Sequence, residues 1–565
     1  MDFSYRKNKN ELLFQTLENN ELLNVKNVQN YNPLYQNYFT LNETNYNNIN
    51  LNQNLTLVEI LEKETYNKYL CSVETEENQK LNKKVFFKLS PLLDPIKYIT
   101  EKYDIKDTNL LNLPDYHNSS HGKIADTNNS AYVDGFFTYL TSKLLHNHGF
   151  IHGLDFYGSY LAHKNDFVVD ISDDLEYLND SKEFHQNNGV LYEIDNDFYS
   201  ELINYDTRKF KKQLVLSSNV NDEANIIELS DITDLSEIND MFMKAEEIND
   251  SDDEHVSLLY DCGIVSKQCS VSRSSKSECS SRSSNTNNID GSEQSESDGE
   301  ESSTNMSYSD ASEDETFIRI GEFPVNVIAL ERCENTLDSL LMNEDFTDDM
   351  LGSIVVQIIM MLITYQNVFD LTHNDLHTNN IMYVQTDKHF LYYRYDNKHY
   401  KVPTFGRIFK IIDFGRAVYK FRGSVICSDS YHAKGDAATQ YNFEPYFDET
   451  KPRLEPNFSF DLCRLGCAMY DMLDSFIFDE KGKSEIKDII MSWCLDDKGR
   501  NILYKKNGDE RYPEFKLYKM IARSVHNHVP HKVLNKSYFE KYIVSKKSIR
   551  RKQNIINIDN YDNYK

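Results

Sequence analysis

The sequence predicts an α+β fold with a small antiparallel β lobe, a larger helical lobe and a long acidic insertion. Three observations lead to this prediction. The runs LTLVEI, NKYLCSVE and KKVFFKL alternate apolar and polar residues, which is typical of short antiparallel strands. Apolar residues at helical spacing dominate the second half of the chain. Between these parts lies a segment rich in Ser, Asp and Glu, which buries too little apolar surface to fold.

Composition divides the chain into five segments. These are an Asn-rich amino-terminal extension (1–50), the first part of the small lobe (51–162), an insertion (163–316), the end of the small lobe with the hinge and the large lobe (317–540), and a basic, Asn-rich tail (541–565). The insertion carries apolar clusters at first. From about residue 249 it is predicted to be disordered, because almost only Ser, Asp, Glu and Asn remain.

Further elements follow in chain order. The stretch AYVDGFFTYLTSKLLHNHG predicts a helix that ends at Gly149, and FIHGLDFYGSYLA predicts a strand. FIRIGEFPVNVIALERC predicts a strand or hairpin, and DDMLGSIVVQIIMMLITYQNVF a buried helix. HFLYYRY and KHYKVP predict a strand pair, and more helices fill 458–540.

Charge and cysteine usage exclude several classes of protein. A formal net charge of −29 argues against nucleic-acid binding and against an anionic membrane surface. The stretch IVVQIIMMLI is interrupted by Gln357, and it is shorter than the roughly 20 residues that span a bilayer. Nine cysteines without a CxxC pair favour reduced thiols in a cytosol-like compartment.

Chemistry-bearing residues concentrate in LTHNDLHTNN and IIDFG. Asp375 and Asn380 lie five residues apart in the first motif, and Asp413 follows an apolar strand in the second. Phosphoryl transfer requires such groups, since a carboxylate must orient or deprotonate the acceptor and hard oxygen ligands must hold Mg²⁺. Lys88 in VFFK is placed to neutralise phosphates. The spacing of His373 and His377 does not fit a zincin site, because Asn374 stands where that motif has glutamate.

These motifs resemble those of the protein-kinase superfamily. HNDLHTNNIM resembles the catalytic loop, IIDFG the metal-binding motif and VFFK the strand that carries the phosphate-binding lysine. The Asn-rich composition, the long acidic insertion and the HNDLH variant are similar to putative serine/threonine kinases of giant DNA viruses (mimivirus-like), and faintly to haspin-type kinases. The resemblance implies a bilobal kinase-like fold, ATP with Mg²⁺ (or Mn²⁺), and a protein substrate. It also implies a cytoplasmic location, in host cytoplasm or virion, with the nucleus as an alternative through the basic tail.

The resemblance also implies roles for single residues. Asp375 would be the base or orienting group, Lys88 would hold phosphates, and Asn380 and Asp413 would hold the metal. The remaining roles are an ion-pair partner for Lys88 (Asp134), backbone groups for adenine (Glu331 and Cys333), a gatekeeper (Leu330), a γ-phosphate contact (His377) and a brace for the catalytic loop (Asp461).

Four departures from the kinase pattern carry expectations. No glycine precedes Gly122, so the turn around EKETYNK lacks the Gly-rich phosphate cover, and weak or unusual ATP binding is expected. Asp134 stands in place of the usual glutamate. Asn374 replaces the arginine that clamps a phosphorylated activation loop, so activity should not depend on that phosphorylation. His377 replaces a lysine, and a partly protonated imidazole there would make activity fall as pH rises.

Two other functions compete with a protein kinase. A pseudokinase scaffold would recruit partners through the acidic segment, and the missing glycines favour it. A small-molecule phosphotransferase of the aminoglycoside or choline type is the second, because the DLHPGN loops of those enzymes share the position of His377. The SESDGEESS stretch is either a phosphoacceptor or a solvated spacer.

Overall fold

The computed structural model describes residues 2–7, 10–20, 23–65, 67–117, 120–194, 316–344, 346–475 and 484–565. All of them belong to one compact unit. They form a mixed α+β structure with several antiparallel sheets. The acidic segment predicted to be disordered from about residue 249 lies outside the described residues.

The strands of the described residues are, in chain order, β1 (Tyr5–Lys7), β2 (Val25–Gln29), β3 (Ile49–Leu51), β4 (Leu55–Thr65), β5 (Lys68–Thr75), β6 (Lys80–Pro91), β7 (Phe156–Asp170), β8 (Tyr192–Ile194), β9 (Phe317–Glu331), β10 (Asn335–Thr336), β11 (Ile381–Gln385), β12 (Phe390–Tyr395), β13 (Lys398–Pro403), β14 (Arg407–Ile411), β15 (Val418–Phe421), β16 (Ser424–Cys427), β17 (Ile543–Val544) and β18 (Ile556–Asn557). The α-helices are α1 (Glu11–Glu18), α2 (Pro95–Ile99), α3 (Gly122–Ala125), α4 (Ser130–His148), α5 (Leu175–Asn179), α6 (Lys182–Asn187), α7 (Leu337–Asn343), α8 (Asp348–Phe369), α9 (Phe460–Ser475), α10 (Glu485–Trp493), α11 (Lys516–Ser524) and α12 (Pro530–Leu534).

The largest sheet is antiparallel and has the strand order β2-β7-β9-β6-β5-β4, with β8 also paired to β9. The three strands predicted near the amino end are confirmed as β4, β5 and β6. The segment predicted as a strand or hairpin at 317–333 is one continuous strand, β9, between β6 and β7. This position at the centre of the sheet explains its nearly continuous burial.

The amino-terminal segment is part of the fold rather than an extension of it. Strand β2 forms the edge of the main sheet beside β7. Buried asparagine side chains satisfy one another's hydrogen-bonding groups. In one such pair, Asn10 and Asn50 each donate to the other's side-chain oxygen, at 3.1 and 3.0 Å. Amides that pair in this way can be buried at little cost, so an Asn-rich sequence without clear periodicity is still compatible with an ordered structure.

The insertion begins later than predicted. Strand β7 runs past residue 163 to Asp170, where it faces Phe317 across the sheet. Helices α5 and α6 and strand β8 follow, and the described structure continues to Ile194. The predicted boundary was wrong because the polar residues Lys164, Asn165 and Asp166 resemble a loop in sequence, whereas here they lie within a strand pair.

The two long helices have the predicted extents. Helix α4 ends at Gly149, whose φ of 65° is the left-handed conformation that glycine adopts at a helix end. Helix α8 has 22 residues and, among the described residues, is the only helix long and apolar enough to cross a membrane. The prediction from IVVQIIMMLI that this segment is too short to span a bilayer was therefore wrong. However, 94% of its most apolar window is buried inside the protein, as in a core helix.

Two smaller sheets shape the second half of the chain. Strands β11 and β14 pair antiparallel, with Ile381 opposite Ile411, so Asn380 and Asp413 emerge at the same end of this pair. The predicted hairpin of β12 and β13 is confirmed. Its edges are covered by the tail, because β17 pairs with β13 and β18 lies parallel to β12.

Candidate functional site

Lys88 is the centre of a buried ion cluster. Its Nζ lies 2.8 Å from Asp134 Oδ2 and 3.0 Å from Asp413 Oδ1, and all three side chains are less than a tenth exposed. The three residues come from β6, α4 and the loop after β14. Lys88 is therefore not a solvated lysine at the end of a strand. Asp134 also accepts a 2.8 Å hydrogen bond from the Phe414 amide, which fixes the loop to α4.

The charges of this cluster do not balance. Burial would lower the pKa of Lys88, but the adjacent Asp134 and Asp413 raise it above its usual value, so the lysine is protonated. Burial raises the pKa of Asp413, and the negative charge of Asp134 adds to the effect. One ammonium thus faces two carboxylates in a site shielded from water. A further cation would relieve the excess negative charge.

The 371–380 loop is held in place by side chains that form hydrogen bonds with backbone groups. The carboxylate of Asp461, at the start of α9, accepts the amides of His373 and Asn374 at 3.0 and 2.9 Å. His373 Nε2 donates to the Ile412 carbonyl at 2.9 Å, and its Nδ1 accepts the Asp375 amide at 3.3 Å. Asp461 therefore braces the loop as predicted. His373 ties the loop to the residue that precedes Asp413.

Asp375 has two oxygens in different environments. Oδ1 accepts a 2.8 Å hydrogen bond from the Tyr518 hydroxyl. Oδ2 is buried, has no hydrogen-bond partner among the described residues and lies 4.0 Å from the Arg416 guanidinium. Burial would raise the pKa of Asp375, but Arg416, His377 and Arg464 and the Tyr518 hydrogen bond outweigh it and lower the pKa to about 2. The carboxylate is consequently ionised at neutral pH, and Oδ2 keeps an unused acceptor position.

His377 does not carry the charge that the sequence predicts. Burial lowers the pKa of its imidazole to about 4, and the nearby Asp375 raises it only partly. The Asn380 side-chain nitrogen lies 3.1 Å from His377 Nε2, which fits a neutral ring that accepts the amide proton. The predicted partial protonation of this ring is therefore not supported, and a neutral imidazole gives no reason for activity to fall as pH rises above 6.

We expect the His377 imidazole to stay neutral between pH 6 and 8. Histidine side-chain NMR spectra of the wild type and of His377→Asn would identify its resonance and give its titration midpoint. A midpoint above pH 6 would contradict the burial argument, since desolvation favours the uncharged ring.

Asn380 has one side-chain atom available for a ligand. Its Nδ2 donates to the Asp375 carbonyl at 2.9 Å, whereas its Oδ1 accepts no hydrogen bond from the described residues. The described residues contain no group of three or more His, Cys, Asp or Glu side chains arranged to hold a metal ion. An amide oxygen and the Asp413 carboxylate fit Mg²⁺ only if phosphate and water oxygens complete the shell, which is how Mg²⁺ commonly binds.

Asn374 is buried and hydrogen-bonded throughout its side chain. Its Nδ2 donates to the carbonyls of Thr372 and Arg416 at 3.2 and 3.1 Å, and its Oδ1 accepts the Tyr441 hydroxyl at 2.7 Å. Its φ of 66° lies in the left-handed region, which asparagine tolerates better than most residues. This side chain serves the backbone of the loop and offers no positive charge to an anion.

The predicted adenine-binding residues lie at the end of β9. The Cys333 amide donates no hydrogen bond to any described residue although the residue is buried, so it can donate to a ligand. Glu331 has a structural role, because its amide donates to Asp155 and its carboxylate pairs with Lys410 at 2.7 Å. Leu330 is buried opposite Phe86 and Phe156 in the sheet.

The turn between β4 and β5 lies in the EKETYNK stretch that was predicted to lack a glycine-rich phosphate cover. Thr65 pairs with Lys68, which leaves a two-residue connection, and Asn67 takes a φ of 58°. Asparagine thus supplies the positive φ that glycine would otherwise provide. The Glu64 carboxylate forms an ion pair with Arg332, so its charge is compensated on the side of β9.

Two carboxylates hold the segment after Asp413. Asp429 forms an ion pair with Lys123, and its other oxygen accepts the Ser130 amide at 3.0 Å, at the first residue of α4. Asp436 pairs with Arg416 at 2.5 Å. Asp429 therefore connects this segment to the helix that carries Asp134, and Asp436 connects it to the arginine beside Asp375.

Three contributors to the site are absent from the sequence prediction. Arg416, Arg464 and Tyr518 surround Asp375, and both guanidinium groups lie over the Tyr518 ring, at 5.5 and 5.1 Å from its centroid. Arg464 follows Asp461 by three residues, which places both on one face of α9. That spacing could have indicated Arg464, whereas nothing in the sequence around Tyr518 distinguishes it.

Comparison with known proteins adds no relative. No protein-family model matches the chain, and no curated protein matches it significantly.

Proposed function

We propose that this protein is an ATP-dependent protein kinase with a bilobal kinase-like fold, which transfers the γ-phosphoryl group to serine or threonine of a protein substrate. The observation that supports it most is the meeting of Lys88, Asp134 and Asp413 in one buried cluster. These residues are widely separated in sequence. Lys88 was predicted to hold phosphates, Asp413 to hold the metal, and Asp134 to pair with Lys88. The serine/threonine preference rests on DLHTNN, which lacks the DLAARN pattern of tyrosine kinases.

The side chains of the site are of the types that suit Mg²⁺ and ATP. Asp413 and the free Oδ1 of Asn380 would hold the metal, Lys88 would neutralise phosphates, and the Cys333 amide would donate to the adenine. The nucleotide supplies the phosphoryl group, and Mg²⁺ neutralises the charge that develops on it. The excess negative charge around Lys88 favours the binding of a cation at this place.

Asp375 acts in this proposal mainly by orientation. With a pKa of about 2 its carboxylate is a weak base, so it accepts a hydrogen bond from the acceptor hydroxyl and aligns that oxygen with the phosphorus. Proton transfer to Asp375 then becomes favourable only as the new O–P bond forms and the hydroxyl grows more acidic. Oδ2 is the oxygen proposed for this contact, because it has no hydrogen-bond partner among the described residues.

A direct experiment separates this function from a binding module and from a small-molecule phosphotransferase. Thermal shift with Mg-ATP reports nucleotide binding, and radiolabelled transfer to the protein itself, to generic protein acceptors and to aminoglycosides or choline reports the reaction. Binding and protein phosphorylation would support the proposal. Binding without transfer to any acceptor would favour a pseudokinase scaffold, and transfer to small molecules alone would favour the other enzyme class.

We expect activity to be independent of phosphorylation of the Ser, Thr and Tyr residues in the activation segment (424–441). The carboxylates Asp429 and Asp436 already make the ion pairs of this segment, and Asn374 cannot clamp a phosphate. Phosphatase treatment should leave activity unchanged, and so should alanine at Ser424 and Thr439.

Asp429→Asn provides the comparison, because it removes a charge but keeps a hydrogen-bond acceptor for Ser130. This variant should lose activity. Loss of activity on phosphatase treatment would contradict the expectation. Tyr431 and Tyr441 are unsuitable for this test, since their hydroxyls bond to the Arg416 carbonyl and to Asn374.

A further inference from the structure

A chain of hydrogen bonds reaches Asp375 from beneath the loop. Arg464 Nε donates to the Tyr518 hydroxyl at 2.9 Å, and this hydroxyl donates to Asp375 Oδ1 at 2.8 Å. All three side chains are buried. The Tyr518 hydroxyl accepts one of these two hydrogen bonds and donates the other, so its proton points towards the carboxylate.

Tyr518 itself is held firmly in place. Its ring packs against Phe515 at 5.4 Å and against Phe460 at 6.2 Å, and the guanidinium groups of Arg416 and Arg464 lie over it. The position of the hydroxyl is thus fixed by α9 and α11 together. A side chain fixed on several sides can hold its hydrogen-bond partner in one rotamer.

The two oxygens of Asp375 are thereby made inequivalent. Oδ1 is taken by Tyr518, whereas Oδ2 has no hydrogen-bond partner in the described structure. A carboxylate free to rotate would exchange these oxygens, and an acceptor hydroxyl would meet it in a range of orientations. Such loss of alignment costs rate, because catalysis by positioning depends on a narrow geometry.

We propose that Tyr518, supported by Arg464, is a positioning residue that fixes the Asp375 carboxylate and leaves Oδ2 for the acceptor hydroxyl. This inference rests on the proposed kinase function. It assigns to α9 a second task in addition to the Asp461 brace. Asp461 holds the backbone of the loop, and Arg464, one turn later, holds its catalytic side chain through Tyr518.

The test removes a single oxygen. Tyr518→Phe should lower kcat by about 10- to 100-fold, the equivalent of one hydrogen bond to a charged group, and leave the KM for ATP unchanged. In an Asp375→Asn background the same substitution should cause no further loss, since residues that act as one unit are not additive. Tyr365→Phe is the matched control, because Tyr365 is fully buried on α8 and its hydroxyl has no hydrogen-bond partner in the part of the chain that the structure describes.

A double-mutant cycle of Asp375→Ala and Tyr518→Phe in urea unfolding measures the contact without reference to activity, because each substitution alone removes the hydrogen bond. Coupling in the cycle together with a loss in kcat supports the proposal. Coupling with an unchanged kcat overturns it, and so does a higher kcat in Tyr518→Phe, which would mean that the tyrosine occupies the place of the acceptor. If the wild type itself transfers no phosphate, the proposed function fails and the positioning role fails with it.

Discussion

Asp375→Asn is expected to abolish phosphoryl transfer while ATP binding remains. The substitution is isosteric, and the amide oxygen can still accept the Tyr518 hydroxyl, so the loop keeps its shape. The amide cannot receive the proton of the acceptor and has no negative charge to align the hydroxyl. Loss of such a group typically lowers the rate by about 100- to 10,000-fold. Radiolabelled phosphate transfer and thermal shift with Mg-ATP measure the two effects separately.

The matched control is Asp496→Asn. Asp496 is likewise a buried aspartate; it lies in the loop after α10 and accepts hydrogen bonds from a backbone amide and from Arg500. It should affect stability alone. Equal transfer rates in wild type and Asp375→Asn would show that this aspartate is not the orienting group, and the kinase interpretation of LTHNDLHTNN would fall with it.

The ionisation of Asp375 also contributes to stability at neutral pH. Its folded pKa of about 2 lies below the value of about 3.9 for an unfolded aspartate. The ionised group therefore stabilises the fold above pH 4, and this contribution is lost as the pH falls from about 4 to 2. The Asp375→Asn variant would lack this contribution at every pH, which makes the stability difference between the two proteins shrink in acid.

The part of the site that the sequence could predict consists of residues in local motifs. Asp375, Asn380 and Asp413 lie beside buried strands, where polar groups in fixed order stand out from their neighbours. Asp134 could be selected because it is the only acid on α4, and an acid on a buried helix face needs a cationic partner. Lys88, on a nearby strand, is that partner.

The residues that escaped prediction depend on distant contacts. Tyr518 meets Asp375 across 143 positions in the sequence, on a helix whose pattern shows only amphipathicity. The charge of His377 was wrongly predicted for a related reason. Its pKa depends on how deeply the fold buries the ring, and the sequence around it contains no measure of that depth.

The same limit applies to the fold. Strands β4 to β6 are consecutive and alternate regularly, so their prediction needed only local information. The end of β7 pairs with β9 across the whole insertion, and neither segment reveals the other. Local composition therefore placed the boundary at residue 163, although the strand pair continues to Asp170.

Lys88→Met is expected to have the largest effect on stability. Methionine fills a similar volume, but it leaves Asp134 and Asp413 buried beside each other without the ammonium that now lies within 3.0 Å of both. Removing one partner of a buried ion pair costs about 3–5 kcal/mol in unfolding free energy. Urea denaturation of wild type and variant measures this loss directly. Lys420→Met is the control, since the Lys420 side chain is 49% exposed and Asp370 keeps a second partner in Lys565. This pair should contribute about 1 kcal/mol or less.

The pH dependence of the loss identifies its cause. Burial already raises the pKa of Asp413, and without Lys88 this pKa should rise further above its unfolded value. A raised carboxyl pKa means that the folded state binds the proton more tightly, so stability falls as pH rises and recovers in acid. The difference in unfolding free energy between wild type and Lys88→Met should therefore narrow from pH 8 towards pH 5.

Adding Asp134→Asn to Lys88→Met should restore much of the stability by removing one carboxylate, yet it should not restore phosphate binding. A loss that is independent of pH and is not relieved by Asp134→Asn would assign the effect to packing of the lysine stem instead of charge.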